Sequence, residues 1–150
     1  MQLIEFDREK IEEIFGRAES SLFSESNIRW LNYEEPFTCL NASEVIYQVQ
    51  NVPMVYCIWI TDGSQPKPVY VGHSSASLSR QRLTNHFVKK HKKTGAQLEK
   101  VEKAVIDGCQ IGLSFLRIEP DYMRKPLEEW LISMNSDKLV WNIHGKRKLK

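Results

Sequence analysis

The run Val55-Tyr56-Cys57-Ile58-Trp59-Ile60 constrains the fold more than any other stretch of the chain. It is unbroken apolar, aromatic and β-branched sequence with no polar face to offer water. A strand made of it belongs in the middle of a sheet, covered on both sides. Asp62-Gly63 then signals a turn, Pro66 and Pro68 end the loop, and Val69-Tyr70-Val71 closed by Gly72 reads as a second, shorter strand. The two make a hairpin. Helices must supply the cover. Ile11, Ile14, Phe15, Ala18 and Leu22 recur at helical spacing behind a capping Asp7. Residues 24–50 suggest irregular structure followed by a short helix with Ser43 as cap. After the hairpin, Ser77 or Ser79 can cap a helix with Leu83 and Phe87 on one face, ending before Thr94-Gly95. A further helix is expected from Ala96 to about Val105, then a half-buried strand at Ile111–Phe115. A last helix carries Pro126 in its first turn and Leu127, Trp130, Leu131 and Met134 as its stripe. From residue 52 the order is β-β-α-α-β-α. That order predicts an α+β fold: a small, mainly antiparallel three-stranded sheet flanked by helices, with an N-terminal helical extension.

The charge is unevenly spread. Of a net +2, residues 1–50 hold ten acidic and four basic side chains, a balance of −6, which leaves +8 for residues 51–150. We therefore expect an acidic helical extension at 1–50, packed on a core at 51–150 with a basic C-terminal tail at Lys146, Arg147, Lys148 and Lys150. Between Arg80 and Lys100, the cations Arg80, Arg82, Lys89, Lys90, Lys92, Lys93 and Lys100 face only Glu99. Such a field attracts a polyanion, and nucleic acid is the usual one. The competing reading is a solvated, lysine-rich helix end. No apolar stretch approaches the roughly 20 residues a membrane span requires, and the first ten residues carry three acids where a signal peptide would be basic, so a cytoplasmic protein is expected. Cys39, Cys57 and Cys109 lack the close spacing of a zinc or redox motif and read as buried thiols.

Several of these residues form an ordered set. Met54-Val55-Tyr56 opens the hairpin and Tyr70-Val71-Gly72 closes it. Arg82 then stands four residues before His86, Glu128 lies in Leu-Glu-Glu-Trp-Leu-Ile, and Trp141-Asn142 follows near the end. From about residue 52 to 145 this order resembles the GIY-YIG nuclease superfamily. The resemblance implies a DNA endonuclease that uses Mg²⁺ or Mn²⁺, with Tyr56, Tyr70, Arg82, His86, Glu128 and Asn142 at its site. Tyr56 would help deprotonate the attacking water, Tyr70 would orient water or phosphate, and Asn142 would be structural or phosphate-positioning. Met54 stands where the first motif of the family normally begins with glycine, and the stretch from Gly72 to Arg82 is longer than the family's.

The residue chemistry fits that implication. Breaking a phosphodiester needs an activated water, a cation on the phosphoryl oxygens and relief of charge on the leaving oxygen. Glu128 offers a carboxylate for a magnesium site, where substrate and water can complete the shell. Arg82 offers a planar donor fork for a phosphate oxygen. His86, four residues on, projects from the same helix face. Glu129 competes with Glu128 for the metal role, and Arg80 with Arg82 for the phosphate role. Arg80, Lys89, Lys90, Lys92 and Lys93 are the candidate DNA contacts. A chain this small has no room for a separate DNA-binding domain, which suggests a stand-alone, restriction-type enzyme and a possible homodimer. The rival reading is a catalytically inactive nucleic-acid-binding module of the same fold.

Overall fold

A computed structural model describes residues 1–34, 37–88 and 97–142. Helix α1 spans Arg8–Leu22, and Asp7 caps it by accepting a hydrogen bond from the Lys10 amide at 3.2 Å. Three short strands follow, β1 (Arg29–Leu31), β2 (Tyr33–Glu34) and β3 (Thr38–Cys39), then α2 (Ala42–Tyr47). The hairpin is β4 (Met54–Thr61) with β5 (Lys67–Ser74). After a single 3-10 turn at Ala76–Leu78 come α3 (Ser79–Phe87), α4 (Leu98–Ile106), β6 (Gln110–Arg117) and α5 (Arg124–Met134).

The class is α+β as expected, but the main sheet has four strands rather than three, in the order β1-β6-β4-β5 and antiparallel throughout. The additional strand is β1, which pairs Arg29–Leu31 with Leu113–Ile111. Three residues are too few to show a period of two, so the strand is held by its partner rather than by its own pattern. Residues 1–50 thus supply an edge strand as well as two helices, and β2 pairs separately with β3.

Several local expectations change. Ser43 does not cap α2; Asn41 precedes the helix, accepting from the Asn32 amide at 2.8 Å and donating to the Trp30 carbonyl at 3.0 Å, so it ties α2 to β1 instead. Neither Ser77 nor Ser79 caps α3. Leu78 holds the cap position, while the buried Ser79 hydroxyl donates to Ala76 O and accepts from the Asn51 amide. Pro68 lies inside β5 rather than ending the loop, at a register shift opposite Ile58/Trp59, where a residue without an N–H is tolerated on an edge strand. Ile14 and Met134, expected on packed stripes, are exposed. Helix α4 begins at Leu98 and runs to Ile106.

Strand β4 divides the core by alternation. Met54, Tyr56 and Ile58 join Leu83, Phe87 and Val101 on the face covered by α2, α3 and α4. Val55, Cys57 and Trp59 join Phe15, Leu22, Leu127 and Leu131 on the face covered by α1 and α5. On that second face the Trp59 indole donates to the Ser114 hydroxyl at 2.8 Å, which donates to Leu22 O at 2.7 Å, fastening the end of α1 to the sheet. Among the described residues, no helix is long and apolar enough to cross a membrane.

Candidate active site

The hairpin register sets Tyr56 opposite Gly72 and Ile58 opposite Tyr70, so the two tyrosines are diagonal neighbours on one face, with ring centroids 6.3 Å apart. Gly72 is what lets them meet. A Cβ there would stand 2.5 Å from the Tyr56 hydroxyl and 3.0 Å from the Tyr70 ring, so no larger residue fits unless Tyr56 moves. Helix α3 lays His86 against the pair, 5.6 Å from the Tyr56 ring and 5.4 Å from that of Tyr70.

Hydrogen bonding fixes the state of His86. Its Nδ1 accepts from the Gln97 backbone amide at 3.0 Å, so that nitrogen carries no proton. Burial first, then the nearby Arg82 charge, push His86 down to about 4, so the ring is neutral near pH 7 and its proton sits on Nε2. Nε2–H therefore donates to the Tyr56 hydroxyl oxygen at 2.7 Å. The Tyr56 proton is then available to the Tyr70 hydroxyl, with which it interacts. A directed chain runs from Gln97 through His86 to Tyr56, with the Tyr70 ring beside it. Tyr56 is completely buried, whereas Tyr70 keeps part of its surface in solvent. Burial raises both phenols above the ordinary 10, Tyr56 by far, and Arg82 pulls each the other way. The two phenols that the resemblance assigns to the site thus differ in depth: Tyr56 is enclosed and Tyr70 meets solvent.

Arg82, exposed on α3, is the shared electrostatic element: its charge acts on Tyr56, Tyr70, His73, His86 and Glu128. Arg80 is exposed two residues earlier on the same helix. Glu128 approaches from α5, accepting a hydrogen bond from the His73 backbone, and its side chain is 22% exposed. Burial raises its carboxyl to about 7 against the pull of Arg82, Lys125 and that hydrogen bond. Of the two adjacent acids, Glu128 is the one that shares the Arg82 field with both tyrosines.

Two residues of this neighbourhood escape a sequence reading. His73 Nδ1 accepts from the Arg124 guanidinium at 2.9 Å, and His73 Nε2 lies 3.9 Å from Glu128 Oε2. Burial, followed by the charges of Arg124, Arg82 and Lys125, lowers His73 to about 4, so this is a neutral imidazole beside a carboxyl rather than an ion pair. The available signals were His73's position directly after Gly72 and Arg124's position four residues before Glu128 on one helix face.

Asn142 is placed differently from the others. Its amide accepts from Val71 N at 2.9 Å and donates to Val71 O at 3.0 Å, and the Trp141 amide donates to Val69 O at 2.9 Å. Asn142 thus clamps the outer edge of β5 between Tyr70 and Gly72. Lys89, Lys90, Lys92, Lys93 and the basic tail at 146–150 lie outside the described residues.

Among the described residues, no group of three or more His, Cys, Asp and Glu side chains is arranged to hold a metal. A cation here would rest on Glu128 alone among carboxylates, with water and substrate oxygens completing its shell. The donor suits a hard cation: a partly buried carboxyl, short of compensating positive charge and open on one side. Compared with protein-family models, with curated proteins and with solved structures, the chain finds no match.

Proposed function

We infer that this chain is a metal-dependent endonuclease that hydrolyses phosphodiester bonds in DNA, on the GIY-YIG plan its motifs resemble. The observation that carries the reading is convergence. Tyr56 from β4, Tyr70 from β5, Arg82 and His86 from α3 and Glu128 from α5 act on one another within a single half-open site. Structural ion pairs and core tyrosines do not require such a meeting of a guanidinium, two phenols, a neutral imidazole and an under-compensated carboxyl.

Each group has a task in the reaction. The Arg82 fork takes a non-bridging phosphate oxygen and offsets the charge that builds there. Tyr70, the phenol that meets solvent, orients the attacking water; burial and the Glu128 carboxylate hold it as the neutral phenol, and Arg82 pulls the other way. Tyr56 positions Tyr70, its oxygen held by His86 Nε2–H. Glu128 would hold Mg²⁺ or Mn²⁺, which when bound supplies Lewis-acid polarisation of the phosphate and lowers the pKa of water. Arg80 and the lysines at 89–93 would contact neighbouring phosphates.

The test is incubation of supercoiled plasmid with Mg²⁺ or with EDTA, for wild type and for Tyr56→Phe, Arg82→Ala and Glu128→Ala. The expected result is nicked and linear DNA with Mg²⁺ only, lost in Arg82→Ala and Glu128→Ala and reduced in Tyr56→Phe. Clean wild type that cuts no DNA under any divalent metal, yet binds it in a salt-dependent way, would establish the rival inactive binding module.

A further inference from the structure

Glu128 has a neighbour of metal-binding type. His73 Nε2 lies 3.9 Å from Glu128 Oε2, and the two side chains are only 24% and 22% exposed. Zinc binds imidazole nitrogen and carboxylate oxygen at about 2.0–2.2 Å, so one tetrahedral ion would need the two atoms about 3.4 Å apart. That is a small shift from where they stand. Imidazole suits zinc, nickel or copper, whereas carboxylate with water suits magnesium or manganese. Zinc and nickel also outbind manganese at a mixed nitrogen–oxygen site, so a site that is to hold magnesium or manganese must withhold its nitrogen. The choice of cation turns on whether His73 Nε2 offers Glu128 a lone pair or a proton.

The other ring nitrogen decides it. A guanidinium donates and never accepts. Arg124 Nη1 donates to His73 Nδ1 at 2.9 Å, so Nδ1 is an acceptor and the proton of the ring is on Nε2. Arg124 is itself held, because its Nε donates to Asp121 O at 2.9 Å in the turn ahead of α5. The nitrogen turned towards Glu128 therefore carries a hydrogen and has no lone pair to give. The His73 backbone, whose N–H the Glu128 carboxylate accepts, presents it with a second donor.

We propose that Arg124 is a metal-specificity residue: by donating to His73 Nδ1 it fixes the tautomer that cannot ligate, and so reserves Glu128 for a cation held by oxygen alone. Without Arg124 the ring proton is free to move to Nδ1, and Nε2 then joins Glu128 Oε2 as a nitrogen–oxygen pair for zinc or nickel. The inference rests on Glu128 as the cation site of the proposed nuclease, and it is tested by metal binding without DNA or cleavage.

NMR of the full chain with isotope-labelled histidine reads the His73 ring directly. In wild type the ring should show the Nε2–H tautomer, Mn²⁺ should broaden its signals, and Zn²⁺ should leave the tautomer in place. Arg124→Met should bind Zn²⁺ at least roughly 10-fold more tightly than wild type by calorimetry, with zinc shifting the His73 Nε2 signal. Adding His73→Ala should abolish that gain, whereas a gain from the mere loss of a positive charge would survive it. Thermal melts check that the variants fold, and the wild-type tautomer decides the matter if Arg124→Met does not. If Mn²⁺ leaves the His73 signals sharp, Glu128 is no cation site and the metal-dependent reading falls with the proposal. If Mn²⁺ binds there, yet Arg124→Met gains no zinc or wild-type His73 carries its proton on Nδ1, the proposal alone is overturned.

Discussion

The two faces of β4 use the same strand for opposite ends. On the α1/α5 face, Val55, Cys57 and Trp59 meet Leu22, Leu127 and Leu131 in a sealed apolar layer, and burial pushes even the Cys57 thiol well above its ordinary value. On the α3 face, Tyr56 and His86 are equally buried, yet their polar atoms are matched in sequence from Gln97 to Tyr56, beside the partly exposed Tyr70. The comparison teaches that polar groups are retained at the centre of a small core when each has one partner and one direction, while the opposite face supplies the apolar burial.

That contrast predicts separable losses. The largest effect is on cleavage: Glu128→Ala and Arg82→Ala should each lower the rate of plasmid cutting by at least about 10²–10³-fold. Arg82 is exposed, so its removal should leave the urea unfolding midpoint nearly unchanged. Leu22→Ala, on the sealed face, should do the reverse, costing about 2–5 kcal/mol in urea unfolding with full cleavage by the folded fraction. Equal activity losses in the two classes would break the comparison.

The pH dependence sharpens it. Glu128 titrates near 7 when folded and near 4.5 when unfolded, so the folded state holds the proton more tightly. Its carboxyl costs nothing below pH 4.5 and becomes increasingly unfavourable as pH rises through 7. In EDTA, Glu128→Gln should therefore stabilise the protein above pH 7 by up to about 3 kcal/mol and not at all at pH 4.5. Parallel stability–pH curves for the two proteins would show that Glu128 is not held in this environment. His73 and His86 run the other way. Both are depressed to about 4 from 6.5, so stability is complete above pH 6.5 and falls as pH drops towards 4. The smallest effect expected is that of Gly72→Ala, whose methyl would press on Tyr56; about 1–3 kcal/mol should be lost, read by thermal or urea unfolding.

The hairpin, α1 and α5 were legible because their patterns are long: an eight-residue β4 with no polar position until Thr61, and helices of 15 and 11 residues with clear stripes. The tyrosines, Arg82, His86 and Glu128 were legible as a set because their order and spacing are informative together. What stayed hidden depends on contacts between distant segments. β1 exists through its pairing with β6, and Gln97 orients His86 through a backbone amide, which no side-chain pattern reports. The difference in depth between the two tyrosines was hidden for a similar reason. Two residues of the same type on paired strands differ only in how deeply the helices above them sit. Met54 is fully buried and packs into the core, so its side chain is accommodated by the α2/α3 layer.

The Asn142 clamp has a consequence beyond the site. A β-sheet in solution is at risk along its outer strands, whose unpaired amides and carbonyls can template another chain. On β5 the Val69 carbonyl is taken by Trp141 and both backbone groups of Val71 by Asn142, and Glu128 accepts a hydrogen bond from the His73 backbone. The opposite edge, β1, offers only three residues. Both margins of the sheet are therefore poor templates for edge-to-edge aggregation, and on β5 two of the residues that close the margin, Asn142 and Glu128, also belong to the candidate site.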